Sequence, residues 1–224
     1  MVQARLVPAK GTDKYAIKRL KKDIELLGYR KILLKSDNES SILALKQAVK
    51  DSTHVEIVPE ESPGGDHQAN GEVENAIKRF AGQFRAFKEN LESRYQQRLS
   101  PDHHAIPGMI AHAAGCINRY QVGNDGKTAH NRWKGKDFNR VVCEFGECVI
   151  ALKLDSKGKE KSKVRWVQAV FLGIREESGE IIVGTPDGII KARDFKRHAS
   201  NEERWNIEKF NAFKGVPWST IPGQ

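Results

Sequence analysis

The stretch over residues 63–78, which reads PGGDHQANGEVENAIK, constrains the fold more than any other part of the chain. Its first half predicts a loop, because a proline and several glycines interrupt any periodic pattern. Its second half predicts a helix that begins near Gly71, because apolar residues recur at helical spacing from Val73 to Leu91. Glu74 then lies in the first turns of that helix. We therefore expect an exposed carboxylate on a rigid element, directly after a flexible loop.

A second carboxylate, Asp37, lies earlier in the sequence, with 36 residues between it and Glu74. Asp37 follows the apolar run at 32–34, which is typical of a buried strand. Open α/β sheets bind ligands at the carboxyl ends of their strands. If the helix bearing Glu74 crosses that strand end, the two carboxylates converge and can hold Mg²⁺, which prefers oxygen ligands. Taken singly, Asp37 is better explained as a helix cap and Glu74 as a partner of the helix dipole.

Two motifs carry a resemblance to a known family: Asp37-Asn38 after a hydrophobic strand, and Gln68-x-Asn70-Gly71-x-Val73-Glu74. Together they resemble the last two acidic positions of the D,D-35-E signature of retroviral and retrotransposon integrases. The residues of the second motif are most similar to those of copia-like retrotransposons. The spacing is one residue longer than the usual one, which a loop can absorb. The resemblance covers most of the chain.

This resemblance implies an α/β ribonuclease-H-like core, with Asp37 and Glu74 as catalytic residues and metal ligands. It implies two Mg²⁺ or Mn²⁺ ions, which clamp the attacking and leaving oxygens of a phosphodiester transfer during DNA integration. It also implies a first catalytic aspartate on an earlier strand, for which Asp13 and Asp23 are poorly placed. We therefore expect that the chain begins inside this domain, that the remaining pair holds Mg²⁺ poorly, and that the sheet exposes an apolar edge.

The net charge of +9 and the isoelectric point near 9.4 favour a polyanionic partner, nucleic acid before a membrane. In the resembled family a lysine at the position of Lys78 touches DNA, although Ala81 stands where a second lysine is usual. Two plainer explanations stay open: Lys78 can pair with Glu74 one turn away, and the lysine-rich loop at 155–163 can be a solvated hairpin tip. We predict DNA contacts from Asn38, Gln68, Asn70, Lys78, Arg79, Arg85, Lys161 and Lys163.

The rest of the pattern predicts two domains. Strands and helices alternate before residue 60, which predicts a mostly parallel sheet: strands over 1–7, 30–36 and 54–59, and helices over 13–27 and 40–49. A further apolar helix is predicted over 106–120. The predicted regions are a core over 1–122, a linker over 123–140, a small β-barrel over 141–200 and a tail over 201–224.

The barrel prediction depends on several short runs of β-forming residues after residue 141. This region resembles the Src-homology-3-like domain that follows integrase cores. We expect the tail to pack weakly or to stay extended. The three cysteines show no paired metal spacing, and the zinc-binding module that often precedes integrase cores is not visible. No signal peptide or membrane-spanning run is found, so we expect no membrane partner and a location in the nucleus or cytoplasm.

Three functions agree with these observations. The first is a retroelement integrase fragment that transfers phosphodiesters with Mg²⁺, and the resemblance implies a homo-oligomer in the intact protein. The second is a catalytically inactive nucleic-acid-binding remnant or domesticated module that uses the same basic surfaces. The third is a nuclease of the ribonuclease-H-like fold that acts on RNA hybrids. Substitution of Glu74 by glutamine separates the first two, because only an enzyme has activity to lose.

Overall fold

The computed structural model describes residues 1–61, 71–154 and 164–222. Two compact units share the chain: one is Leu6–Arg79, and the other comprises Met1–Arg5 and Phe80–Gln224. No helix in the described part of the chain is both long enough and apolar enough to cross a membrane. The predicted limits of core, linker, barrel and tail stay a prediction.

The unit Leu6–Arg79 is built around two parallel strands. Its first elements are α1 (Lys14–Leu26), β1 (Lys31–Ser36), α2 (Ser40–Ser52) and β2 (Glu56–Glu61). The two strands pair in parallel, from Lys31 opposite Glu56 to Ser36 opposite Glu61. Because α2 joins two parallel neighbours, these elements form a β–α–β crossover. The predicted parallel α/β arrangement is confirmed at this level, whereas the ribonuclease-H-like assignment stays a prediction.

Strand β1 is covered on one face only, so the expectation of a buried strand is wrong for that strand. Ile32 and Leu34 pack on the core of the unit, but Leu33 between them is 69% exposed. Side chains alternate across a strand, and helices α1 and α2 supply apolar cover for one face alone. The buried residues of this core are Ile24, Val49, Val55 and Ile57.

The predicted strand over residues 1–7 is also wrong, because the first residues form no strand. The side chain of Asn118 holds the main chain of Val2 instead. The Val2 N–H donates to Oδ1 of Asn118 at 2.7 Å, and Nδ2 of Asn118 donates to the Val2 carbonyl at 2.7 Å. A buried side-chain amide therefore satisfies both backbone groups that a neighbouring strand would otherwise pair.

Three helices follow: α3 (Gly71–Tyr95), α4 (Ala105–Tyr120) and α5 (Ala129–Lys134). The predicted start of the long helix near Gly71 is confirmed, and so is the apolar helix that became α4. Helix α3 runs through the division between the two units at Arg79 and Phe80. It buries Leu91 and Tyr95 in its last turns, next to α4 residues Ala105, Ile106 and Met109.

The second half of the chain forms a closed antiparallel barrel of four strands: β3 (Cys148–Lys153), β4 (Trp166–Ile174), β5 (Ile181–Thr185) and β6 (Gly188–Arg197). Strand β3 pairs with both β4 and β6, which closes the barrel. Its interior is apolar and holds the buried residues Val149, Ala151, Phe171, Val183 and Ala192. The predicted small barrel is confirmed as a four-stranded antiparallel sheet, and its Src-homology-3-like assignment stays a prediction.

The tail packs firmly, so the expectation of a weakly packed or extended tail is wrong. It forms α6 (Asn201–Arg204) and α7 (Ile207–Ala212). Phe210 and Phe213 are each 1% exposed, and the Phe210 ring stacks on Tyr95 with centroids 4.4 Å apart. The Ile189 N–H donates to the Thr220 carbonyl at 2.8 Å. The tail is therefore part of the same core as α3, α4 and the barrel.

Candidate functional site

Asp37 lies directly after the last residue of β1 and its side chain is exposed. Glu39 occupies the N-cap position of α2, without a capping hydrogen bond from its side chain, so the plainer explanation of Asp37 as the helix cap is wrong. Asn38 is exposed beside it. The carboxylate thus stands at the carboxyl end of a parallel strand, where α/β proteins place ligands.

Glu74 lies in the first turn of α3 and is exposed, as is its neighbour Glu72. The first-turn position also suits a carboxylate electrostatically, because unpaired N–H groups leave partial positive charge at a helix start. Lys78, one turn later, is exposed. Of the other basic residues on this helix, Arg79 donates from Nε to the Asn75 carbonyl at 3.3 Å, and Arg85 is exposed.

Asp37 and Glu74 belong to the same compact unit, but their convergence on one metal site stays a prediction. Within the described ranges, no group of three or more His, Cys, Asp and Glu side chains is arranged to hold a metal ion. Four residues predicted to contact DNA lie outside the described residues, namely Gln68, Asn70, Lys161 and Lys163.

The two earlier aspartates that could have supplied a third carboxylate have other partners. The Asp13 side chain caps α1 and accepts a hydrogen bond from the Ala16 N–H at 2.9 Å. Asp23 pairs with Arg19 at 3.1 Å, and both side chains are largely buried. The sequence-based judgement that neither is well placed therefore agrees with their contacts.

One surface was missed by sequence reasoning, the outer face of strands β3, β4 and β6, which we call the barrel face. The Lys196 ammonium lies 4.7 Å from the centroid of the Trp166 ring. Nε2 of His198, the residue directly after β6, lies 3.1 Å from Oε1 of Gln168. Ile150 joins the two pairs, because it is opposite Gln168 on one side and Lys196 on the other.

The barrel face combines a cation, an aromatic ring and polar groups, which is the chemistry of surfaces that contact nucleic acid. It also includes the exposed Asp194, because Leu152 is opposite Trp166 on one side and Asp194 on the other. A signal for it is present in the sequence, since Trp166 and Gln168 alternate, as do Lys196 and His198. Alternation predicts that each pair shares a face of its strand. What the sequence lacks is the register that brings the two pairs together.

A buried cluster of charged side chains lies in the unit that holds the barrel. Glu147 is fully buried and accepts hydrogen bonds from Arg197 at 2.8 and 2.9 Å and from Arg204 at 2.8 Å. Burial alone would raise the pKa of Glu147, but the hydrogen bonds from both guanidinium groups outweigh it and lower that pKa. This cluster joins β6 and α6 to the turn before β3, so we assign it a structural role.

His112 is a second buried group, packed against the rings of Phe87, Phe145 and Phe171. Burial lowers its pKa to about 3, and the nearby Arg119 charge acts in the same direction. Its neighbour Cys116 lies with Sγ 3.3 Å from Nε2, and burial raises the pKa of that thiol to about 11. The imidazole of His112 is therefore neutral and the thiol of Cys116 is protonated, as is typical of side chains packed inside a protein.

Comparison with known proteins gives few matches. No protein-family model matches the chain, and neither does any curated protein. Among solved structures, one similar chain belongs to the cryoEM structure of the simian T-cell lymphotropic virus intasome in complex with PP2A regulatory subunit B56 gamma. The TM-score is 0.38 at 17% sequence identity, over 83% of this chain and 64% of that chain. The present chain thus spans less than two thirds of that chain.

Proposed function

We propose that this chain is part of a retroelement integrase, an enzyme that joins DNA by Mg²⁺-dependent phosphodiester transfer. One observation carries the proposal. Asp37 directly follows a parallel strand, Glu74 lies in the first turn of a helix, and both are exposed in one compact unit. These are the positions that the resembled signature gives to its last two acidic residues.

The roles of individual residues follow from their chemistry. Asp37 and Glu74 fit Mg²⁺ or Mn²⁺, because exposed carboxylate oxygens are the ligands that hard divalent ions prefer. When bound, such ions activate water or a DNA 3′-hydroxyl and neutralise charge on the phosphate. Lys78 is one turn from Glu74 on the same helix and would hold a DNA phosphate beside the carboxylates. Asn38, Gln68 and Asn70 would position the DNA end.

A shared metal site is tested by local cleavage with Fe²⁺ in place of Mg²⁺. Bound iron with ascorbate and peroxide generates hydroxyl radicals that cut the backbone near the ion. If Asp37 and Glu74 share an ion, peptide mapping finds cuts beside both residues, and excess Mg²⁺ suppresses both. Cuts beside one residue only, or no cuts that Mg²⁺ suppresses, would contradict a shared site.

Two matched variants separate metal binding from simple loss of charge. Glu74→Gln is expected to abolish the cuts, whereas Glu72→Gln, the same change in the same exposed turn, is expected to leave them. Strand transfer is measured with both variants on labelled DNA ends, together with cleavage of an RNA–DNA hybrid. Strong hybrid cleavage with weak binding of DNA ends would favour a hybrid-specific nuclease instead.

A second candidate function is nucleic-acid binding without catalysis, and the barrel face favours it. An aromatic ring that stacks on a base contributes about 1–3 kcal/mol to binding. We therefore expect Trp166→Ala to weaken binding of a labelled single strand by about tenfold or more. Lys196→Ala is compared with Lys191→Ala, whose ammonium already pairs with Glu180 at 2.9 Å. This candidate is wrong if Trp166→Ala and Lys196→Ala bind as well as Lys191→Ala.

A further inference from the structure

The open face of the β1–β2 sheet carries an ordered pattern of side chains. Its centre is apolar, with Leu33 on β1 69% exposed and the half-buried Val58 opposite it on β2. Charged residues lie on either side of this apolar pair along the strands, lysines on β1 and glutamates on β2. The register places each lysine opposite a glutamate, Lys31 with Glu56 and Lys35 with Glu60.

This face needs cover that the described residues do not supply. A sheet normally buries one apolar face against another element, and two strands alone are only marginally stable. The inner face is covered by Ile17, Leu20 and Leu45 of α1 and α2. The outer face keeps its leucine in solvent, and Lys31 and Glu56 pair at 2.6 Å with both side chains 62% exposed.

We propose that a second copy of the chain covers this face, in a two-fold dimer whose axis runs along the strands. Rotation about such an axis exchanges the lateral positions of β1 and β2 and leaves each residue at the same level along the strands. It therefore places β1 of one copy over β2 of the other. Leu33 then packs on the partner copy's valine, and Lys31 and Lys35 face the partner copy's glutamates. One patch is complementary to itself, as a two-fold interface requires.

The charged residues favour a two-fold axis along the strands over one across the strands. An axis across the strands would place β1 over β1 of the second copy in the opposite direction. Lys31 would then face a lysine of the other copy, and Glu56 would face a glutamate, which is repulsive on both edges. Only the axis along the strands sets opposite charges against each other. The proposal does not depend on the proposed function, because it uses no residue of the candidate metal site.

The dimer is tested by sedimentation of the full chain at low salt, from about 1 µM to about 1 mM, the range expected of a small interface. We expect a concentration-dependent monomer–dimer equilibrium. Leu33→Ser is expected to raise the dissociation constant at least about tenfold. Val141→Ser is the control, because Val141 is 82% exposed in the other unit. Circular dichroism verifies that each variant is folded.

A mixing experiment tests the charge pattern itself. The variant Lys31→Glu with Lys35→Glu has glutamate on both strands, and the variant Glu56→Lys with Glu60→Lys has lysine on both. Each is expected to be monomeric alone, and the equimolar mixture is expected to regain the wild-type dimer. The variant with all four changes is expected to dimerise alone, because the exchange keeps opposite charges face to face.

Three results would overturn the proposal. The wild-type chain can remain monomeric over the whole range, as it would if another segment of the same chain covers the face. The dimer can form with equal affinity in Leu33→Ser. The two charge variants can fail to associate when mixed.

Discussion

The two compact units differ in where they place their polar side chains. In the unit that holds the barrel, charged groups are drawn into the core, as Glu147 is between Arg197 and Arg204. In the unit Leu6–Arg79, the carboxylates of Asp37 and Glu74 remain in solvent around a small apolar core. The difference teaches that the fully buried carboxylate of Glu147 is held by ion pairs inside a core, whereas the two candidate metal ligands are exposed carboxylates.

That division is opposite to a common expectation about functional sites. Strongly shifted pKa values often point to catalytic residues. Here the shifted pKa of His112 belongs to a side chain that aromatic rings enclose, and the lowered pKa of Asp125 belongs to an exposed carboxylate paired with Arg132. Substitutions of buried groups such as His112 should therefore affect stability, whereas substitutions of the exposed carboxylates Asp37 and Glu74 should affect metal binding. The following predictions test this comparison.

The largest effect is expected from Phe210→Ala. Phe210 is 1% exposed and stacks on both Tyr95 and His103, so the substitution leaves a cavity. The free energy of unfolding, measured with urea, should fall by about 3–5 kcal/mol. Leu33→Ala in the other unit is the control and, on dilute protein where the chain is monomeric, should change it by less than about 1 kcal/mol. Equal losses in both variants would remove the contrast between the units.

A somewhat smaller effect is expected from Glu147→Gln, because it removes the buried charge shared by two arginines. We expect a loss of about 3 kcal/mol in unfolding free energy. Glu144→Gln is the matched control, since Glu144 is partly exposed and pairs with Arg94 at 3.1 Å. It should cost about 1 kcal/mol or less. A cost for Glu147→Gln no greater than that of the control would show that the buried cluster does not stabilise the fold.

Acidification should destabilise the chain through His112. The unfolded chain binds this proton near pH 6.5 and the folded chain only near pH 3, so stability is complete above pH 6.5 and is lost as the pH falls. Between pH 7 and pH 5 the loss should be about 2 kcal/mol. The free energy of urea unfolding is measured at both pH values for the wild type and for His112→Leu. The variant should lack the part of the loss that is caused by His112.

Two controls accompany that measurement. His103 and His130 also have pKa values lowered by burial, but they are present in both proteins and cancel in the comparison. Glu147 has a lowered pKa, so its contribution is lost only below the ordinary carboxyl range. If wild type and His112→Leu lose the same stability between pH 7 and pH 5, His112 is not the group responsible.

The smallest effect is expected from Lys31→Ala, measured on dilute protein where the chain is monomeric. The Lys31–Glu56 pair is exposed on both sides, so its loss should cost between 0 and about 1 kcal/mol. The cost should shrink further in high salt. A loss comparable with that of Glu147→Gln would mean that surface and buried ion pairs are equally important in this protein.

Sequence reasoning succeeded where the signal is local. The parallel strands, the helix start at Gly71 and the apolar helix α4 follow from periodicity and from glycine and proline positions. The exposed positions of Asp37 and Glu74 follow in the same way, because each lies just beyond or just inside the end of an element. The convergence of these two carboxylates is a tertiary property, and it stays a prediction.

Sequence reasoning failed where contacts join distant residues. The tail was expected to pack weakly or to stay extended, yet the ring of Phe210 stacks on that of Tyr95. The first residues were assigned to a strand because they are partly apolar, yet Asn118 holds Val2 through two hydrogen bonds. Neither partner could be found from sequence, because more than a hundred residues separate each pair.

The sequence by itself determined most of the helices and strands before the tail, and it determined where Asp37, Glu74 and Lys78 lie along them. Local backbone preferences and side-chain period are sufficient for that, since they act between near neighbours. Only the tertiary structure decided which faces are covered: one side of β1 stays open, the tail closes the core, and Glu147 is buried between Arg197 and Arg204. Burial is a property of packing between distant segments, and no short stretch of sequence records it.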